Sequence, residues 1–218
     1  MVSWNAIDTV LLDMDGTLLD LHYDNTLWNE LVPYHYSAAE GISLERAKAT
    51  LFTQMREIHG ELRFYCLDHW ADFTRLDIKA LHAELTHLIA YRPNAKAFLE
   101  QLRACHKRCV LVTNAHRDSL NVKDQHSQLV GRLDADVSCH DYGMPKENPE
   151  FWRHLQHQHP YDPSRTLLID DNAAVLDAAA SCGIRHLLTI EQPDSARPRR
   201  RNLKHPAITD FLEIMPDG

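Results

Sequence analysis

Polar side chains follow three apolar runs whose composition is typical of buried strands. The runs are DTVLLD, RCVLVT and RTLLID, and each is short and rich in branched aliphatic residues. Because ligands bind beyond the carboxyl ends of the strands in a parallel sheet, we expect the side chains at these ends to form one site. The residues concerned are Asp13 and Asp15 after the first run, Thr113 and Asn114 after the second, and Asp170 and Asp171 after the third.

Several carboxylates brought together at one sheet edge indicate a cation site. They repel one another, so each resists ionisation beside the others. A hard divalent ion removes that cost, and a ligand set made of oxygen atoms suits Mg²⁺. Lys146, which precedes a predicted helix beginning at Asn148, adds a positive charge. One cation and one lysine would together bind a dianion such as phosphate, although any single aspartate, taken alone, also fits a turn or a helix cap.

Strands and helices alternate in the C-terminal half of the chain. This alternation predicts an α/β fold with a parallel sheet covered on both faces. Two further strands are predicted at 134–138 and 184–190. Helices are predicted at 44–59, 78–89, 94–105, from 148 onward and at 173–182, with Asn94 and Asn148 as N-caps and Gly183 as a stop.

The segment from Leu19 to Arg92 interrupts this alternation, because its pattern is mostly helical. We therefore predict a helical domain at 20–92, inserted into a core domain made of 1–19 and 93–218. The insert is rich in aromatic residues, namely Tyr23, Trp28, Tyr34, Tyr36, Phe64, Tyr65 and Trp70.

The composition disfavours several classes of protein. The net charge of −8 over 218 residues lacks the basic excess of a nucleic-acid binder. No basic segment followed by an apolar run opens the chain, and no apolar stretch reaches the roughly 20 residues of a membrane helix. Five cysteines without a Cys-x-x-Cys pair fit a reducing compartment. We expect a cytoplasmic protein with no nucleic-acid or membrane partner.

Two further patches are predicted to be surface features. The basic run RPRRRN at 197–202 predicts a solvated and mobile segment, with an anion-binding arm as the alternative. His154, His157 and His159 are predicted to lie on a solvated helix face. No carboxylate or cysteine nearby completes a tetrahedral metal site for these histidines.

Four short segments resemble, as a set, the four motifs of the haloacid dehalogenase (HAD) superfamily. The segments are DMDGTLLD at 13–20, Thr113 after the second run, Lys146, and the pair Asp170-Asp171. The resemblance covers residues 6–20 and 93–190. It implies a Rossmann-like core that carries a helical cap of the C1 type.

The resemblance also implies a role for each motif residue of this chain. Asp13 would attack phosphorus and form an aspartyl-phosphate. Asp15 would protonate the leaving oxygen and later activate water. Thr113, together with Asn114, would bind the phosphoryl group, and Lys146 would neutralise charge on that group and on Asp13.

The resemblance places Mg²⁺ on Asp13, the backbone carbonyl of Asp15, and Asp171. Asp170 is either a direct or an outer-shell ligand, since many superfamily members carry another acid where this chain has Val175. Dehalogenases of the superfamily generally lack the second acid of the first motif. The presence of Asp15 therefore favours phosphate release, with a phosphomutase as the alternative.

Longer segments are similar to the bacterial 5′-nucleotidases of this superfamily that act on GMP and IMP. They are LLDMDGTLLDL, FYCLDHW, LVTNAH and LLIDDNAAVLDAAASCGIRH. The similarity implies a purine nucleoside monophosphate as substrate. We predict that Tyr23 and Trp28 stack on the base, because purines stack well on aromatic faces and these residues follow the first motif most closely. An alternative substrate is a small sugar phosphate or phosphoglycolate. A non-enzymatic module that binds phospho-ligands is a further alternative, but such a module would not need the acid at Asp15.

Overall fold

The computed structural model describes residues 2–217, and its centre is a six-stranded sheet. The strands are β1 (Thr9–Leu12), β2 (Arg108–Thr113), β3 (Ala135–Ser138), β4 (Thr166–Ile169), β5 (His186–Ile190) and β6 (Ala207–Ile208). Their order is β3-β2-β1-β4-β5-β6, and every neighbouring pair is parallel. The predicted α/β fold is confirmed. The short strand β6 was not predicted, because two residues carry no readable pattern.

The part of the chain that the structure describes contains nine α-helices. They are α1 (His22–Thr26), α2 (Val32–Glu40), α3 (Leu44–Glu57), α4 (Leu67–Thr74), α5 (Ile78–Glu84), α6 (Ala95–Ala104), α7 (Arg117–Ser127), α8 (Pro149–Gln158) and α9 (Ala173–Ser181). A π-helical turn, Leu27–Leu31, joins α1 to α2. No helix within residues 2–217 combines the length and the apolar composition that a membrane span requires.

Alternate residues of the central strands pack on opposite faces of the sheet. Leu12 and Ile169 belong to a core that includes Phe98 of α6, whereas Leu11 and Leu168 belong to a second core with α8 and α9. Because both faces are covered, the inner positions of β1, β2 and β4 are apolar on both sides, which is why these strands can be recognised as apolar runs.

A third core lies within the helical segment between β1 and α6. Its buried members are Leu27, Val32, Leu51, Ile58, Leu67, Trp70, Ile78 and Leu81. The two linkers to this segment run side by side. The Asp20 amide donates to the Ala90 carbonyl at 2.9 Å, and the Arg92 amide donates to the Leu18 carbonyl at 2.9 Å. The chain therefore enters and leaves the helical segment at one narrow crossing.

Two local predictions about helix ends are wrong. The Asn94 side chain does not cap α6. Its backbone is left-handed, with φ 58°, and its side-chain amide donates instead to Asp210 Oδ1 at 2.8 Å. The helix predicted at 78–89 ends at Glu84, and a 3₁₀ turn, Thr86–Leu88, follows it. By contrast, Asn148 caps α8 as predicted and accepts the Glu150 amide at 3.0 Å.

The prediction that the run at 197–202 is solvated is wrong at Arg200. Its amide donates to the Glu191 carbonyl at 2.7 Å, and its guanidinium donates to Thr189 Oγ1 at 3.4 Å. The chain passes along β5 here on its way to β6, so the backbone is held against the sheet. Arg200 therefore belongs to the wall of the cavity described below.

Candidate active site

Three of the predicted site residues lie side by side because of the strand order. β1 lies between β2 and β4, so Asp13, Thr113 and Asp170 occupy adjacent strand ends, and all three are buried. The Asp13 amide donates to the Ile169 carbonyl at 3.0 Å, which extends the pairing of β1 with β4 by one residue. The chain proceeds from β1 to strands on both of its sides, and this is the kind of switch point at which parallel sheets bind ligands.

Lys146 is the positive centre of this edge. Its Nζ donates to Asp13 Oδ1 at 2.5 Å, to Asp170 Oδ2 at 2.7 Å and to the Val112 carbonyl at 3.0 Å, so all three N–H groups have acceptors. Burial alone would lower the pKa of Lys146, but Asp13 and Asp170 outweigh burial and hold that pKa well above its ordinary value. The ammonium therefore stays charged where a dianion would bind.

Asp13, Asp170 and Asp171 form a carboxylate cluster, in which one oxygen atom of each residue lies within 4.8 Å of the other two. Burial raises the pKa of Asp13 well above its ordinary value despite the opposing Lys146. Burial, and next Asp170, raise the pKa of Asp171 to about 7. A hard cation would relieve this cost of holding negative charge, and the all-oxygen donor set fits Mg²⁺.

Gly16 keeps the turn after β1 close to this cluster. Its φ of +82° lies in the left-handed region, and a Cβ at this position would meet Asp171 Cγ at 2.9 Å and Pro193 Cβ at 3.0 Å. Any other residue would be strained and would push on the Asp171 carboxylate.

Asp15 is held by a lysine that sequence reasoning missed. Lys123 of α7 is buried, and its Nζ donates to Asp15 Oδ1 at 2.6 Å and to Asp24 Oδ1 at 2.7 Å. Burial alone would lower the pKa of Lys123, but the two carboxylates outweigh it and raise that pKa. Burial, and next Asp15, raise the pKa of Asp24 to about 7. The Asp15 side chain thus has a fixed direction, set by a charged partner from the core.

Glu147 is a second positioning residue that the sequence did not reveal. Its carboxylate accepts hydrogen bonds from Asn114 Nδ2 at 2.9 Å, from Asn172 Nδ2 at 3.1 Å and from the Tyr65 hydroxyl at 2.9 Å. Asn114 Oδ1 in turn accepts the Lys146 amide at 2.9 Å. One carboxylate therefore ties the ends of β2 and β4 to the helical segment.

A cavity of about 490 Å³ lies between the sheet edge and the helical segment. Its floor includes Asp13, Asp15, Thr113, Asn114, Lys146, Asp170 and Asp171. The aromatic residues on its other wall are Trp28, Phe64, Tyr65 and Trp70. The volume lies in the range that takes a ligand of the size of a mononucleotide.

Of the two aromatic residues predicted to stack on a base, the cavity includes Trp28 and not Tyr23. Tyr23 is 1% exposed, and its hydroxyl donates to the His82 carbonyl at 2.8 Å. The Lys123 ammonium lies over the Tyr23 ring, 5.3 Å from its centroid. Tyr23 therefore supports the lysine that holds Asp15 and has no face free for a base.

Comparisons with known proteins agree with this geometry. The family model described as haloacid dehalogenase-like hydrolase matches residues 7–183. The GMP/IMP nucleotidases YrfG of Escherichia coli (strain K12) and of Shigella flexneri are each 40% identical over 215 residues, which is 99% of this chain and 97% of theirs. The crystal structure of a HAD phosphatase from Thermococcus onnurineus superposes with a TM-score of 0.80 at 19% identity, covering 95% of this chain and 96% of that one. The chain therefore belongs to the haloacid dehalogenase-like hydrolases.

Proposed function

We propose that this hydrolase is a Mg²⁺-dependent 5′-nucleotidase that acts on purine mononucleotides of the GMP and IMP type. The observation that carries the proposal is that one cavity of about 490 Å³ joins the phosphate-binding floor to an aromatic wall. The 40% identity to GMP/IMP nucleotidases over 99% of the chain supports the same substrate class. We also propose that residues 20–92 form the cap domain that supplies this wall, and that the enzyme works in the cytoplasm, which its five free thiols support.

The proposed reaction has two displacement steps. An Asp13 oxygen attacks phosphorus, the bond from phosphorus to the 5′ oxygen breaks, and Asp15 protonates the departing nucleoside. Water then attacks the aspartyl-phosphate while Asp15 takes its proton, and Asp13 is regenerated with release of phosphate. Lys146, paired with Asp13 at 2.5 Å, offsets the charge that gathers on the phosphoryl oxygens, and Thr113 offers a hydroxyl to one of them.

The metal set in this proposal is Asp13, the backbone carbonyl of Asp15, and Asp171. Bound Mg²⁺ supplies charge neutralisation for the phosphoryl group during transfer. Asp170 is assigned to the outer shell, because its Oδ2 accepts from Lys146 at 2.7 Å and its Oδ1 accepts the Asn172 amide at 2.9 Å. Both of its oxygens are thus already engaged by the protein.

The test of this function is phosphate release from a panel of substrates with Mg²⁺ present. The panel comprises GMP, IMP, AMP, CMP, UMP, glucose 6-phosphate, phosphoglycolate and p-nitrophenyl phosphate. We expect GMP and IMP to give the highest kcat/KM. A higher kcat/KM for a sugar phosphate or phosphoglycolate would refute the nucleotidase and leave a phosphatase, and interconversion of sugar phosphates without phosphate release would indicate a mutase.

Removal of metal is expected to lower turnover of GMP more than tenfold, because the cluster of Asp13, Asp170 and Asp171 is then left with uncompensated charge. Treatment with EDTA followed by gel filtration gives the metal-free enzyme, and added Mg²⁺ should restore the rate. Ca²⁺ should restore little, since its looser and larger coordination suits in-line attack poorly. Full activity in a preparation shown by elemental analysis to be free of metal would contradict the proposal.

Replacement of Trp28 by leucine is expected to lower kcat/KM for GMP by about 5- to 150-fold, since stacking on an aromatic face stabilises a base by about 1–3 kcal/mol. Leucine keeps apolar volume beside Trp70, whose ring centroid lies 5.4 Å from that of Trp28. Turnover of p-nitrophenyl phosphate should stay within about twofold. The matched control is Tyr36→Leu, because Tyr36 packs on Phe73 within the helical segment and does not line the cavity. An equal loss for both substrates would show that Trp28 only supports the fold.

A further inference from the structure

A group of soft metal-binding side chains lies at the junction of the helical segment and the core, apart from the carboxylate cluster. It consists of Cys66, His116 and His140, and the Cys66 Sγ and one ring nitrogen of each histidine all lie within 4.8 Å of one another. Cys66 directly precedes α4, His116 directly precedes α7, and His140 lies in the turn after β3. These residues are far apart in the sequence, so no ligand spacing pointed to them.

One of the two histidines, His140, presents a ring nitrogen to this group. His140 Nε2 is buried and has no hydrogen-bond partner within residues 2–217. The two rings meet edge to face with centroids 4.9 Å apart. A buried nitrogen without a partner is costly, and a bound cation beside Cys66 would satisfy it.

Carboxylates flank His116 on both sides. Its Nε2 lies 3.8 Å from Asp68 Oδ2, and its Nδ1 lies 4.0 Å from Asp118 Oδ2 while accepting the Asp118 amide at 3.2 Å. Binding of an ion through Nε2 requires the ring proton to move to Nδ1, so Nδ1 must release the Asp118 amide and donate instead to the Asp118 carboxylate 4.0 Å away. A carboxylate behind a histidine is the usual support of a metal ligand.

We propose that Cys66, His116 and His140 bind a soft divalent cation of the zinc class. One thiolate and two imidazoles match the protein ligands of a tetrahedral zinc site with its fourth position open, and a thiolate selects zinc over magnesium. Binding forms a bond from the metal to sulfur and releases the thiol proton to solvent. Since Cys66 belongs to the helical segment and both histidines belong to the core, the ion links the two parts beside the substrate cavity, which His116 also lines.

The site is tested by titrating the full-length protein with Co²⁺ after chelation, with excess Mg²⁺ present to occupy the carboxylate cluster. We expect one equivalent of Co²⁺ to give the visible absorption of tetrahedral cobalt and a near-ultraviolet band from thiolate to metal. Zn²⁺ should abolish both signals, and its affinity follows from competition with a chromophoric chelator. The readout does not depend on the proposed nucleotidase activity.

Three variants decide the assignment. Cys66→Ser should lose the thiolate band, and both Cys66→Ser and His140→Gln should bind Zn²⁺ at least about 100-fold more weakly, because loss of an outer-shell partner alone costs 10–100-fold. The matched control, Cys182→Ser, removes another partly exposed free thiol and should bind as wild type does. Circular dichroism establishes whether each variant folds. If Cys66→Ser does not fold, the Zn²⁺ affinity of His140→Gln alone tests the proposal. Wild-type protein without the thiolate band, or with the same Zn²⁺ affinity as the folded variants, overturns the proposal.

Discussion

Asp13→Asn is expected to reduce phosphate release from GMP by at least about 10⁴-fold, equivalent to about 5.5 kcal/mol in activation free energy. An amide is a poor nucleophile toward phosphorus and cannot form the acyl phosphate on which the second step depends. The variant should still fold, because an asparagine oxygen can accept from Lys146, which also keeps its 2.7 Å hydrogen bond to Asp170. The loss would therefore report on chemistry and not on stability.

The matched control for this prediction is Asp8→Asn. Asp8 directly precedes β1 at its amino end, whereas Asp13 directly follows the same strand at its carboxyl end. Asp8 is exposed and pairs with Arg165, so its replacement should leave kcat/KM within about twofold. Acid quenching of wild-type enzyme during turnover with labelled substrate should trap phosphate on protein, and the Asp13→Asn variant should trap none. Turnover by Asp13→Asn within tenfold of wild type would refute Asp13 as the nucleophile.

Most parts of the site that could be predicted from the sequence lie at strand ends. Asp13, Thr113 and Asp170 could be placed together because an apolar run fixes a buried strand, and parallel strands present their carboxyl ends at one edge. Lys146 could be added through its motif. In each case a local pattern carries the information, and the sheet supplies the geometry.

Lys123 could not be predicted in this way. It lies within a polar helix, where a lysine normally points to solvent, yet it is 1% exposed because Asp15 and Asp24 converge on it from separate elements. Glu147 is similar, since its three donors come from distant parts of the chain. Buried polar networks depend on tertiary contacts, and periodicity says nothing about them.

The aromatic residues of the helical segment show the same limit. Their number fits either a small core or a base-binding wall, but the sequence does not divide them between the two. The structure places Trp28 at the cavity and Tyr23 beneath Lys123, although they are five residues apart on consecutive helical turns. The direction in which each side chain packs decides which residue reaches the cavity. That direction depends on how the helical segment sits on the core.

Asp15→Asn is expected to lower kcat for GMP by about 10²–10⁴-fold, the usual contribution of a positioned acid or base. The alkoxide that leaves GMP needs a proton, and an asparagine cannot provide one. The p-nitrophenolate ion leaves without a proton, so the first step with p-nitrophenyl phosphate should be affected much less. The second step still needs a base to activate water, and it should be slow for both substrates.

This difference gives Asp15 a signature that a structural residue would not share. Stopped-flow mixing of Asp15→Asn with p-nitrophenyl phosphate should show a burst of about one p-nitrophenolate per active site, followed by slow turnover. Asp24→Asn is the matched control, because Asp24 binds the same Lys123 ammonium, at 2.7 Å against 2.6 Å for Asp15. Loss of Asp24 loosens Lys123 but keeps Asp15 as the acid. Any decrease in rate should therefore be equal for the two substrates, and no burst of p-nitrophenolate should appear. If Asp15→Asn also loses both activities equally and shows no burst, Asp15 serves only to position Lys123, and the acid of the reaction must be sought elsewhere.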